Sequence, residues 1–271
     1  MELFNYDKPG RGIDKNAPKK KGAALFFELV WRKLKLFSLS SMLFFSVALP
    51  VTAIYFLMFY NMLASSYPTA DAGAYLDMIF LITFTVMILW GCGPASCGHI
   101  YLLRSFAREE HVWLSSDFFE RIRANFKYGI AILAADIVVL FSMITAMRTY
   151  SAMLSSGKPY AFLLISAVII FAVIYTFMHY YMYQFSITFS QGVFTMFKNS
   201  LIMAFAELPM NILMTLMVFA GIYVICSLFV MPAVIIIMFA FGVSFLRFAV
   251  DFYVSRKMKQ LFIDPNQKEE N

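Results

Sequence analysis

The stretch LFSLSSMLFFSVALPVTAIYFLMFY, residues 36–60, decides the fold class, because it contains no charged side chain. A helix that crosses a bilayer needs about 20 consecutive apolar residues. The stretch therefore predicts a first transmembrane helix, which Pro50 is expected to kink.

Five more apolar stretches follow, roughly at Tyr75–Leu103, Phe126–Met147, Tyr160–Met182, Leu201–Cys226 and Ala233–Val254. The 271 residues are 61% hydrophobic and 14% charged, whereas a soluble domain is about 45–50% apolar and about 25% charged. This composition excludes a soluble globule, a disordered chain and a disulfide scaffold. We predict an all-α polytopic membrane protein with six transmembrane helices in residues 23–262. A disordered basic tail (residues 1–22) precedes them, and a charged tail (residues 263–271) follows.

The positive charges predict how the chain is oriented in the bilayer. Of its 22 Lys and Arg residues, all but Arg148 and Lys158 fall on or near one side of a six-span arrangement. Cytoplasmic loops of membrane proteins carry this excess, so both termini are predicted to be cytoplasmic and the location to be the plasma membrane. The net charge of +6 is then explained by orientation and anionic lipid headgroups, and no nucleic-acid partner is expected.

Each pair of predicted spans is preceded by an amphipathic stretch on the cytoplasmic side: LFFELVWRKLKLF (25–37), DFFERIRANFKYG (117–129) and the weaker SQGVFTMFKN (190–199). Basic interfacial segments with Phe anchors are common in membrane proteins, which is one interpretation. The other is three tandem hairpins, each made of an elbow helix and two spans. In that case the elbows would form a cytoplasmic surface on which a partner docks.

Five ionisable residues fall at membrane depth, namely Asp136, His179, Glu207, Arg247 and Asp251. Charges are costly there and are functional candidates by default. Arg247 and Asp251 have the i,i+4 spacing of an ion pair within one helix. Asp136 and Glu207 lack such a neighbour, so Arg247 or His179 on another helix is their expected partner. The cluster is interpreted as structural pairing, as a proton or substrate pathway, or as residues exposed to water.

The segment GCGPASCGH, residues 91–99, is the most unusual one. Cys92, Cys97 and His99 could suggest a metal site, but four ligands are needed and the spacing fits no common zinc pattern. Small residues favour close helix packing, and Pro94 favours a kink. Because P-loop, H-E-x-x-H and G-x-S-x-G motifs are absent from the sequence, we expect neither an enzyme nor a cofactor.

Several motifs resemble the YesL family, bacterial membrane proteins of unknown function found mainly in Firmicutes. They are Gly-Pro-Ala (93–95), YLLRSFAREEHVW (101–113), Asp-Phe-Phe (117–119) and Asn-Phe-Lys (125–127). Phe-Phe (26–27), Leu-Val-Trp (29–31) and Leu-Pro (49–50) are also similar, so the likeness covers residues 25–262. Many members have Leu-Pro almost next to Gly-Pro-Ala. In this chain a long interval separates the two motifs, so it is similar to the variant of the family with a complete second span.

The resemblance implies an accessory, non-catalytic subunit of a carbohydrate (oligosaccharide) ABC importer, because genes of the family tend to lie beside such importers. Docking to permease or ATPase subunits is expected on the elbows and the charged connector. The candidates are Glu28, Arg32, Arg104, Arg108, Glu109, Glu110, Asp117, Phe118, Phe119, Asn125 and Lys127. The alternative is a self-contained secondary transporter that uses Asp136, Glu207 and Arg247.

Overall fold

The computed structural model describes residues 22–66 and 72–263, which are helical with short connections and contain no strand. Nearly all of both predicted tails lies outside the described residues. The helices are α1 (Gly22–Arg32), α2 (Leu34–Ser66), α3 (Ala72–Leu89), α4 (Pro94–Ala107), α5 (Leu114–Ala124), α6 (Phe126–Ser155), α7 (Ala161–Thr188), α8 (Val193–Ala206), α9 (Leu208–Leu228), α10 (Met231–Ile237) and α11 (Val243–Met258). A π-helical segment, Met238–Gly242, joins α10 to α11, and another, Lys259–Ile263, follows α11.

In the described part of the chain, five helical stretches are long and apolar enough to cross a membrane, or six if α3 and α4 count as one span. This confirms the all-α polytopic prediction. The second span is two helices bent by 63°. One boundary was wrong: the fifth span begins at Leu208, because Leu201 belongs to α8.

A single residue separates each elbow helix from the span that follows it. Lys33 lies between α1 and α2, Asn125 between α5 and α6, and Glu207 between α8 and α9. At each of the three, the backbone N–H donates to the carbonyl four residues earlier, and its carbonyl accepts from the N–H four residues later. Asn125 (φ −111°, ψ 16°) and Glu207 (φ −109°, ψ 28°) share one backbone conformation. The element order thus has the form of three tandem hairpins, each with its own elbow.

The spans pack around α11, which contacts α2, α3, α4, α7 and α9. On α1, Phe26 stacks on Phe248 of α11 with ring centroids 5.4 Å apart, and its ring also meets the edge of Phe252. The two described ends of the chain therefore lie on the same face of the bundle. We call this face the elbow side. Its assignment to the cytoplasm stays a prediction.

The outward surfaces of the spans are apolar. Large side chains such as Phe141, Leu163, Ile170 and Leu216 are exposed on them. In water such a surface would be an unfavourable continuous apolar patch, whereas in a bilayer it meets hydrocarbon. The environment that fits these helices is a lipid bilayer.

Candidate functional site: a broken membrane helix

The second span breaks between Leu89 and Pro94. Gly91 (φ +89°) and Gly93 (φ +59°) occupy the left-handed region there, which glycine adopts without steric cost. Pro94 begins α4, at the position where its missing N–H costs no helical hydrogen bond. The predicted kink is confirmed, and the sequence Gly-Cys-Gly-Pro accounts for it locally.

Arg247 binds the end of α3 that the break leaves open. The last carbonyls of a helix lack intrahelical donors and carry partial negative charge. The Nη1 atom of Arg247 donates to the carbonyls of Ile88 and Leu89, both at 2.9 Å. Its Nη2 donates to the His179 carbonyl at 3.4 Å. A side-chain cation from α11 thus neutralises the negative end of α3 inside the bundle.

Asp251 is the counter-ion of Arg247. Nε of Arg247 lies 3.2 Å from Asp251 Oδ2, which confirms the predicted i,i+4 pair. Gln184 of α7 donates to the other oxygen, Oδ1, at 3.2 Å. Both charged groups are buried, so each depends on the other and on these amide and carbonyl partners.

A second buried pair joins α6 to α7. His179 Nε2 lies 2.8 Å from Asp136 Oδ1, although not in hydrogen-bond alignment, and Tyr175 donates its hydroxyl to the same oxygen at 2.8 Å. This confirms His179 as the expected partner of Asp136. The Trp90 ring, at the break, stacks parallel to the His179 ring at 5.4 Å. Its Nε1 donates to Thr176 at 2.9 Å, so the pair is tied to the break.

Side chains from other helices satisfy the backbone of the break itself. The N–H of Gly93 donates to the Tyr183 hydroxyl at 3.0 Å, and the Tyr55 hydroxyl donates to the Gly91 carbonyl at 3.3 Å. The N–H of Cys92 donates to Ser96 Oγ at 2.7 Å. Buried backbone groups without such partners would be costly.

His99 belongs to a packing cluster. Its Nε2 lies 2.8 Å from Ser244 Oγ, which lies 3.0 Å from Ser40 Oγ, and its ring stacks on Phe44. In the described residues no group of three or more His, Cys, Asp or Glu side chains could hold a metal ion. The space between Ser96, His99 and Arg247 has no room for a water molecule, so this region of the bundle interior is dry.

Glu207 lies apart from this cluster, at the third elbow. Its Oε1 lies 2.9 Å from Lys257 Nζ, and its Oε2 accepts the Tyr253 hydroxyl at 2.7 Å. The prediction that Glu207 pairs with Arg247 or His179 was therefore wrong. The fifth span starts after Glu207, which places it at the elbow side rather than inside the bundle.

Three of the docking candidates are buried, which contradicts a role in contacting a partner. Arg104 donates to the Thr188 hydroxyl at 2.6 Å. Phe118 is completely buried, and Asn125 donates to the Arg121 carbonyl at 3.0 Å. Phe118 is buried because it packs against Gly98 of α4, whereas Phe119, the next residue around the helix, is exposed.

The remaining candidates are at least partly exposed at the elbow side. Arg32 pairs with both Glu28 and Glu109, and Glu109 comes from the connection between α4 and α5. Next to Arg32, burial lowers the pKa of Lys33, and the Arg32 charge adds to this effect. Arg108, Glu110, Phe119 and Lys127 also reach the surface, whereas Asp117 is half-buried.

Sequence reasoning missed Trp113, which is 71% exposed. It precedes α5 in an extended conformation. Its backbone N–H donates to Asp117 Oδ2 at 2.9 Å. The ring of His111 packs against it at 5.2 Å. The signal in the sequence was Asp117 four residues after Trp113 at a helix start, where its carboxylate holds the Trp113 backbone.

No family model, curated protein or solved structure matches the chain. Membership of the YesL family stays a prediction from the motifs quoted above.

Proposed function

We propose that the protein is a non-catalytic membrane subunit that binds other subunits of a bacterial carbohydrate ABC importer. The observation that supports the proposal is an exposed surface on the elbow side. We define the elbow patch as Glu28, Arg32, Glu109, Glu110, His111 and Trp113. The first two belong to α1 and the others to the connection between α4 and α5.

The elbow patch has the chemistry of a protein-binding surface. Arg32 links the two segments through its carboxylate partners, so their relative position is constrained before any partner binds. Trp113 projects beside these charges, with its backbone held by Asp117. Trp and Arg are the residues that most often dominate binding energy in protein interfaces. The YesL resemblance supplies the expected partner, the permease or ATPase subunits of an importer.

The buried charges support a structural role rather than catalysis. Arg247 and Asp251 are paired with each other and with backbone or amide groups. Asp136 is paired with His179. Buried polar groups that are satisfied by partners on other helices are consistent with a structural role. The elbow patch is therefore the surface through which we expect the protein to act.

Gentle solubilisation of the tagged full-length chain, co-expressed with its importer's permease and ATPase subunits, tests the proposal. We expect the subunits to co-purify. Trp113→Ala should weaken the complex about 30-fold, because loss of an interface hot spot costs about 2 kcal/mol or more. Phe194→Ala is the matched control, since Phe194 is an exposed aromatic residue on α8. Failure of both subunits to co-purify, or equal loss in the two variants, would contradict the proposal.

A proton-coupled secondary transporter is the second candidate, and the broken span favours it. Transporters commonly bind substrates and ions where membrane helices are discontinuous. Asp136 lies beside the break here, whereas Glu207 lies apart from it. In liposomes, this candidate requires that Asp136→Asn abolishes uptake of the transported sugar and that Glu207→Gln preserves it. Uptake that survives Asp136→Asn in a folded protein would eliminate the transporter.

A further inference from the structure

Three arginines lie close together at the elbow-side end of α4, two of them over the ring of Tyr101. Arg104 lies in the last turn of α4, Arg108 follows that helix, and Arg121 comes from α5. The guanidinium carbons of Arg104 and Arg121 lie 5.2 and 4.4 Å from the ring centroid of Tyr101. Arg104 is only 7% exposed. We call Arg104, Arg108 and Arg121 the arginine cluster.

Negative charge in the described part of the chain does not balance this cluster. Among the described residues, Arg104 has no carboxylate within 4 Å; the charges of Arg108 and Arg121 repel it, and only the charge of Glu110 among the nearby carboxylates opposes them. The nearest carboxylate oxygens are Glu110 at 4.0 Å from Arg108 and Glu120 at 3.7 Å from Arg121. Both distances exceed a hydrogen bond, and both acids are exposed to solvent.

Each of the three arginines also has a hydrogen-bond donor left over. The Nε atoms of Arg104, Arg108 and Arg121 are buried and have no hydrogen-bond partner among the described residues. A buried donor that is left unsatisfied costs about 1–3 kcal/mol. Three such donors, on a cation and two neighbours that repel it, favour the binding of an acceptor group, and a negatively charged acceptor is favoured most.

We propose that the arginine cluster is a binding site for a phosphate group. The planar guanidinium fork matches the oxygens of a phosphate, and charge-assisted bonds of this type are among the strongest hydrogen bonds in proteins. This site adjoins the elbow patch at Glu110, but the proposal does not depend on the proposed importer.

The position of the cluster indicates where the phosphate comes from. Arg104 donates to Thr188, the last residue of α7, so the cluster lies where two spans end on the elbow side. Lipid phosphates lie at such span ends, and basic pockets between transmembrane helices bind anionic headgroups there. The headgroup of an anionic phospholipid is therefore the expected ligand, and free phosphate has the same chemistry.

Titration of the purified full-length chain in a neutral detergent tests the site. The probes are short-chain phosphatidylglycerol, diacylglycerol with the same chains, and sodium phosphate, with bound lipid counted by native mass spectrometry. Phosphatidylglycerol should bind and diacylglycerol should not. Arg121→Gln should weaken binding about tenfold, since it removes a charge-assisted hydrogen bond. Arg123→Gln, two residues away and exposed, should change binding less than twofold.

The possible results separate the two sources of phosphate. Binding of phosphatidylglycerol that sodium phosphate does not displace supports a lipid site, and displacement at millimolar phosphate supports a site for the free anion. Arg104→Gln and Arg108→Gln are further variants of the same site. If Arg104→Gln fails to fold because Arg104 is buried, Arg108→Gln is tested in its place. Equal binding of diacylglycerol and phosphatidylglycerol, or equal weakening by Arg121→Gln and Arg123→Gln, would overturn the proposal.

Discussion

Replacing Arg247 with Met should strongly destabilise the protein, because one guanidinium supports both an ion pair and a helix end. Met has a similar length and no charge. The change leaves the Asp251 carboxylate buried beside Gln184 without a cation, and removal of one partner of a buried pair costs about 3–5 kcal/mol. It also removes the donor to the carbonyls of Ile88 and Leu89, each worth about 1 kcal/mol.

A loss of about 5 kcal/mol corresponds to a decrease in Tm of roughly 10–20 °C for a chain of this size. Scanning fluorimetry of the detergent-solubilised protein measures this decrease. Arg148→Met is the control, since Arg148 is exposed on the opposite side of the bundle. Its Tm should change by no more than about 2 °C, as for other surface substitutions.

The double variant Arg247→Met with Asp251→Leu distinguishes the two contributions. Replacement of both members of a buried pair by apolar side chains is often neutral, so the double variant should recover at least half of the loss. The stability that the double variant does not recover measures the contribution of the hydrogen bonds from Arg247 to the α3 carbonyls. A single variant as stable as the wild type would refute the role assigned to Arg247. A double variant as unstable as the single one would refute the ion-pair contribution.

Two further substitutions test two separate features. One is the close contact between α6 and α4, and the other is the ion pair at the third elbow. Gly129→Ala should destabilise the protein by several kcal/mol or prevent folding, because the new Cβ would lie 2.6 Å from the Pro94 backbone, which cannot move without shifting α4. Gly192→Ala is its control, since that Cβ has an ordinary 3.6 Å contact, and equal Tm values for the two would contradict the packing. Glu207→Gln should lower the stability by no more than about 1 kcal/mol, because its pair with Lys257 is partly exposed and such pairs contribute little. A decrease in Tm of 10 °C would show that this elbow has a larger role.

The spans and the pair of Arg247 with Asp251 could be predicted from the sequence because their signals are local. Apolar runs of sufficient length mark the spans, and the i,i+4 spacing marks Arg247 with Asp251. For Asp136, the cost of an unpaired charge indicated only that Arg247 or His179 should be its partner, and the structure selects His179. Glu207 was misplaced because its neighbours Leu201–Ala206 are as apolar as a span, although they form the end of an elbow helix.

The role of Arg247 at the α3 end could not be predicted, because its partners are backbone carbonyls. Ile88 lies 159 residues away from Arg247, and nothing in its side chain indicates that its carbonyl is free. The sequence Gly-Cys-Gly-Pro accounts for the break, but it does not show which side chains of other helices satisfy the backbone there, such as Tyr55 and Tyr183. The burial of Phe118 likewise depends on which face of α5 packs against Gly98 of α4, a contact between two helices that the local sequence does not specify.

The break, its two buried pairs and the three elbows belong to one structural requirement. A helix interrupted inside a bilayer exposes a negative end that lipid cannot neutralise. Arg247 satisfies the α3 end, but it must then be held by Asp251 on its own helix and by the His179 carbonyl on α7. Because α11 belongs to the third hairpin and α3 to the first, the hydrogen bonds of Arg247 to the α3 carbonyls join these two hairpins. The group that neutralises the break is therefore also a contact between hairpins, and we expect loss of Arg247 to weaken both.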